Sequence, residues 1–127
     1  MSEAKDWLKI AKSNLKLGKA YYSINDNEIR FEELCFELQQ CVEKSLKALL
    51  VHNKVIFPKT HSLSELITIL QKHSVIIPEN LLDVVELTKY AVETRYPDNY
   101  HEITEEEYKE TIQIAEAIYN WVEEQLV

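Results

Sequence analysis

Arg95 and His101 are the residues of this chain whose types and spacing suit chemistry on a phosphodiester. Five residues, Tyr96 to Tyr100, separate them, and Pro97 places a turn between two strongly helical stretches. A guanidinium keeps its charge, whereas an imidazole takes and gives a proton near neutral pH. On a phosphodiester, His101 would act as general base on the attacking hydroxyl or as general acid on the leaving oxygen, while Arg95 stabilises charge building on the phosphoryl group. No metal enters that scheme. One imidazole fills one role per step, so a dimer presenting two copies across a shared groove would supply both. The segment also has a structural reading. Arg95 near a helix C-terminus is favoured by the exposed carbonyls, Asp98 is close enough in sequence to pair with it, and His101 is then a solvated loop residue. Tyr96 and Tyr100 either stack on bases or serve as core or interface residues.

The elements that must position this segment follow from composition and periodicity. The 127 residues suit a single domain spanning 1–127, and 46% apolar with 28% charged residues is ordinary for a globular protein. One Gly and three Pro leave few breaks, which favours helices over sheet. We expect an all-α, antiparallel up-and-down bundle of about five helices. The first runs from Glu3 to Ser23, with Ala4, Trp7, Leu8, Ala11, Leu15, Gly18 and Tyr22 on one face. Asn25 to Asn27 make a turn. The second, Phe31 to Asn53, is the core helix, with Leu34, Cys35, Leu38, Cys41, Val42, Ser45, Leu46 and Leu49 as its stripe. Ser62 with Glu65 caps a short third helix through His73, and Pro78 opens a fourth carrying Leu81, Leu82, Val85, Thr88 and Val92 inward until Pro97 ends it. Thr104 with Glu107 caps the fifth, in which Tyr108, Ile112, Ala115, Tyr119, Val122 and Leu126 face the core.

Charge and motif content narrow the function. A net charge of −8 argues against nonspecific coating of nucleic acid but permits a local site. Lys5, Lys9, Lys12, Lys16 and Lys19 form a stripe on the first helix, which is either a solvated face or a contact for RNA phosphates or an acidic partner. Residues 102–127 hold eight Glu and only Lys109 as a cation. Gln39 and Glu43 share a face; they either line a groove or dimer seam as binding residues, or Glu43 simply pairs with Lys47 on the surface. His52 and His73 suit helix ends, and His61 a local contact. Cys35 and Cys41 are expected to be reduced, packed thiols. No His has Glu three residues before it, which removes a di-iron site, and no Gly-rich phosphate loop is present. We therefore expect no metal and no cofactor. With no long apolar run and no signal-peptide core, no membrane association is expected, and the protein is placed in the cytoplasm.

Four stretches taken in order resemble a HEPN-domain protein: Trp7-Leu8 with Ala11 and Leu15, then Cys35 to Leu49 (CFELQQCVEKSLKAL), then Pro58 to Leu63 (PKTHSL), then Thr94-Arg95-Tyr96-Pro97-Asp98. The resemblance covers nearly the whole chain and points to the branch with the Arg-Tyr-Pro-Asp motif. It implies an all-α bundle that forms a homodimer and is frequently paired with a minimal nucleotidyltransferase in toxin–antitoxin modules. In catalytic members it implies a metal-independent endoribonuclease whose motif is an Arg followed a few residues later by His, a spacing that Arg95 and His101 fit. The alternative is a noncatalytic module that binds a nucleotide, an RNA end or a partner protein.

Overall fold

A computed structural model describes residues 3–92 and 102–127, and among these the secondary structure is entirely helical. The described residues form six α-helices: α1 (Ala4–Gly18), α2 (Tyr21–Ile24), α3 (Phe31–His52), α4 (Leu63–Lys72), α5 (Lys89–Val92) and α6 (Glu105–Gln125). A 3-10 helix, Glu79–Thr88, runs directly into α5. The helix starts follow the sequence signals. The Glu3 amide donates to Asp6 Oδ2 (3.0 Å), Ser62 Oγ accepts from the Glu65 amide (3.3 Å), and Thr104 Oγ1 accepts from the Glu107 amide (3.1 Å). With glycine scarce, α3 and α4 end on left-handed Lys54 and Ser74. There the amides of Val55 and Val75 reach back to the carbonyls of Leu50 and Leu70, both at 3.0 Å.

The long helix α3 lies at the centre of the fold. Leu38, Cys41, Val42, Leu46, Ala48 and Leu50 are fully buried, and burial extends nearly all round it from Leu34 to Leu50. Helix α1 crosses α3 antiparallel, with Trp7 near Lys44 and Lys47, and Gly18 against Leu34 and Leu38. Helix α6 packs parallel to α3, with Thr111 beside Cys35 and Tyr119 beside Cys41. Helix α1 is thus antiparallel to both. Burial pushes both thiols up to about 12, so Cys35 and Cys41 are inert packed groups.

The first and fourth expected helices differ in detail. The first breaks after Gly18, and α2 carries Tyr21 and Tyr22 into an aromatic cluster with Phe31 and Tyr108; Tyr22 itself is exposed. The stretch expected as a fourth α-helix is mostly 3-10, and its buried residues, Leu81, Val84, Leu87 and then Tyr90, recur every three positions. That is the period of a three-residue turn, whose side chains line up at i and i+3. Val85 and Leu82, expected inward at a 3.6 period, are only half-buried.

Two stability predictions follow from this packing. A Cβ on Gly18 would sit 2.5 Å from Leu38 Cδ2 and 2.6 Å from its Cγ, and 3.3 Å from the Leu34 carbonyl oxygen. Leu38 is fully buried and has no room to retreat, and the Gly18 carbonyl also accepts a 2.6 Å hydrogen bond from the Tyr108 hydroxyl. Gly18→Ala should therefore cost about 1–3 kcal/mol despite alanine's better helix propensity. A thermal midpoint equal to or above the wild type would contradict this close approach of α1 to α3. Leu46→Ala, at a site with no exposure, should cost about 2–5 kcal/mol. Ile112 is half-buried, because Thr111 takes the inward position beside it, so Ile112→Ala should cost clearly less when the two variants are compared by urea unfolding.

Candidate functional site

The residues expected to carry chemistry, Arg95 and His101, together with Tyr96, Asp98 and Tyr100, lie outside the described residues. The structure does describe the two ends of the chain that carries them. On the entering side, Thr88 Oγ1 accepts from the Leu63 amide (3.1 Å), which ties the end of the 3-10 helix to the start of α4. Tyr90, 2% exposed, donates its hydroxyl to the Glu107 carboxylate in the first turn of α6. Burial first, and then this carboxylate, push the Tyr90 phenol well above its usual range, so it remains a donor. On the returning side Ile103 is buried and Thr104 caps α6. Residues 93–101 therefore connect two helix ends that the Tyr90–Glu107 hydrogen bond links.

The same end of the bundle is acidic. Asp83, Glu86, Glu107 and Glu110, with Lys89 and Tyr90, border a cavity of about 260 Å³ between the 3-10 helix and α6. Nearby, the exposed Tyr22 donates to Glu105 (2.5 Å), and that hydrogen bond raises its pKa to about 12.

A second polar cluster lies around Gln39 and Glu43. These two do share a face, as expected, but the face is interior: neither residue has any exposure, so they do not line an open groove. The Glu43–Lys47 pair is likewise no surface pair, since Lys47 is only 7% exposed. Glu43 Oε1 receives His61 Nδ1 (2.8 Å) and Gln39 Nε2 (3.3 Å), while Oε2 accepts from Lys47 (3.0 Å) and Lys44 (3.2 Å). Burial alone would raise this carboxyl. The His61 hydrogen bond and the two lysines overcome that and bring it down to about 2. Gln39 also donates to the His61 carbonyl (3.4 Å) and accepts from Gln40 (2.7 Å). The cluster thus fastens the loop before α4 onto α3, with Trp7 against both lysine ammonium groups.

Sequence reading had given His61 only a local contact. Its partner lies 18 residues away, and no helical spacing reveals it. The available signal was a Glu and two Lys within a helix too apolar to leave them exposed, which requires internal pairing. Among the described residues no three His, Cys, Asp or Glu side chains come together to hold a metal ion. Nor is any described helix long and apolar enough to cross a membrane.

An all-α bundle packed around a long central helix defines the structural class. The HEPN domain family model matches residues 4–125, and the chain belongs to that family. The structure is similar to the crystal structure of an archaeal HEPN homologue, with a TM-score of 0.77 and 32% sequence identity, each chain covered over 100% of its length. No match was found among curated proteins.

Proposed function

We propose that this HEPN protein is a metal-independent endoribonuclease that acts through Arg95 and His101 as a cytoplasmic homodimer, paired with a minimal nucleotidyltransferase in a toxin–antitoxin system. The observation that carries the reading is the Arg95–His101 spacing on a connection whose ends are held together by Tyr90 and Glu107. Fixed ends shorten the reach of the segment and favour its two chemical groups acting on one bond. In this reading His101 moves the proton at the ribose 2′-hydroxyl or at the leaving oxygen, and Arg95 neutralises the phosphoryl oxygens. Asp98 orients Arg95 through a charge-assisted pair, and Tyr96 stacks on a base beside the cut. Gln39 and Glu43 support the site from within by fixing the His61 loop, against which Thr88 is docked.

The test is incubation of a labelled single-stranded RNA with the purified protein in excess chelator. The expected result is cleavage leaving a cyclic phosphate and a 5′-hydroxyl. Intact RNA at high protein concentration would sink the catalytic reading. A specific observation would then favour, within the alternative of a noncatalytic nucleotide- or partner-binding module, the binding of a partner protein. The cavity at the foot of the segment is bordered by four carboxylates, which repel phosphate and suit a cationic partner surface.

A further inference from the structure

The lysines of α1 are arranged at a cost. Lys5–Lys9, Lys9–Lys12 and Lys12–Lys16 are successive pairs within α1 at i,i+4 or i,i+3, where like charges destabilise a helix. A merely solvated face has no use for three such pairs in line. Lys19 is paired with Glu116, but Lys5, Lys9, Lys12 and Lys16 are exposed and none has a carboxylate within 4.0 Å among the described residues. From Lys5 to Lys16 the row spans about 16 Å of helix. It borders a groove between α1 and α6 made of two adjoining cavities, about 540 and 250 Å³, which share Lys12 and Tyr119. Tyr119, 5% exposed, closes the floor, and its hydroxyl donates to Glu123 (3.4 Å). On the α6 wall Glu116 is neutralised by Lys19, whereas Glu123 keeps its charge at the Lys5 end of the groove, which leaves the stretch from Lys9 to Lys16 as the cationic part.

We propose that this groove binds the backbone of single-stranded RNA, with Lys9, Lys12 and Lys16 contacting successive phosphates. A row of point cations along a narrow groove matches a line of phosphates and would convert mutual repulsion into attraction. An acidic protein helix would also need a broad apolar seat, whereas the apolar lining here is a narrow strip, with Leu15 and Tyr119 buried and only Leu8 and Ala20 half-exposed between the lysines. The fate of the bound strand rests on the ribonuclease reading above; the binding does not.

The experiment measures anisotropy of a short labelled single-stranded RNA across a salt series. His101→Ala, used to prevent cutting, is compared with the same protein carrying Lys9→Gln, Lys12→Gln and Lys16→Gln. We expect affinity to fall at least tenfold and the slope of log affinity against log salt to shrink by about 2, since each lost phosphate contact contributes roughly 0.7 on a single strand. The triple variant should unfold at an equal or higher urea concentration, because the repulsion along α1 is relieved. Unchanged affinity and slope, or no binding by the parent, would overturn the proposal. So would stronger displacement by polyglutamate than by unlabelled RNA, which would assign the groove to an acidic protein. Lysine-dependent binding without cleavage by the wild type would sink the ribonuclease reading alone. Cleavage with lysine-independent binding would sink the groove alone.

Discussion

Glu43→Gln is expected to lower the unfolding free energy by about 3 kcal/mol, a large share of the stability of a domain this size. The side chains are nearly isosteric, so the loss is not one of packing. Glutamine has one acceptor oxygen where the carboxylate offered two charged ones, and four donors converge on that position. Lys47, almost fully buried, would be left without a counter-charge, and removing one partner of a buried pair costs far more than the pair itself contributes. The same group sets an acid limit. Its folded pKa of about 2 lies below the ordinary 4.5, so the unfolded chain binds the proton first as pH falls. Stability from Glu43 is therefore complete above about pH 4.5 and is lost progressively as pH drops towards 2. That gap corresponds to roughly 3 kcal/mol. Urea unfolding at neutral pH and near pH 3 should show wild type losing more of its stability than Glu43→Gln. A neutral-pH loss below about 1 kcal/mol, with the same acid slope in both proteins, would mean that Lys47 and His61 reach solvent without the carboxylate.

The helix framework was legible where local chemistry decides it. Ser62 and Thr104 cap the helices they were expected to cap, because a side-chain acceptor beside an apolar stripe is a short-range signal; α3 begins at Phe31 as expected, on Arg30 and without a side-chain cap. The fourth element was misread because Leu81, Leu82, Val84, Val85 and Leu87 are all apolar. A stretch so uniformly apolar fits a period of three as well as 3.6, and packing against α4 and α6 chose the former. The break after Gly18 has a similar origin. The spacing continues smoothly to Tyr22, but contact of Gly18 with Leu38 and of Tyr21 with Phe31 and Tyr108 redirects the chain. The interior of the polar cluster was hidden for a different reason. Gln39, Glu43 and Lys47 at steps of four look like a surface ladder on a helix with one buried face. The helix α3 is instead buried nearly all round, and only tertiary packing by α1 and the His61 loop makes it so.

The largest effect of any substitution is expected at the connection between α5 and α6. His101→Ala should reduce RNA cleavage by about 10²–10⁴-fold, the usual worth of a positioned proton donor or acceptor. Arg95→Lys keeps the charge but loses the planar fork that engages two phosphoryl oxygens at once, so it should still cost about 10²-fold or more, while Arg95→Ala costs more again. A structural role predicts a different pattern. If Arg95 only pairs with Asp98 and neutralises helix carbonyls, Arg95→Lys would be nearly silent and His101→Ala would leave the rate unchanged. The pH dependence separates the readings further. Should two copies of His101 serve as base and acid across a dimer, the rate passes through a maximum between two imidazole ionisations, and a variant with one role lost keeps only one limb. Single-turnover cleavage over a range of pH, with urea unfolding of each variant alongside, makes the comparison. Activity that falls only in step with stability would assign Arg95 and His101 to the fold rather than to the reaction.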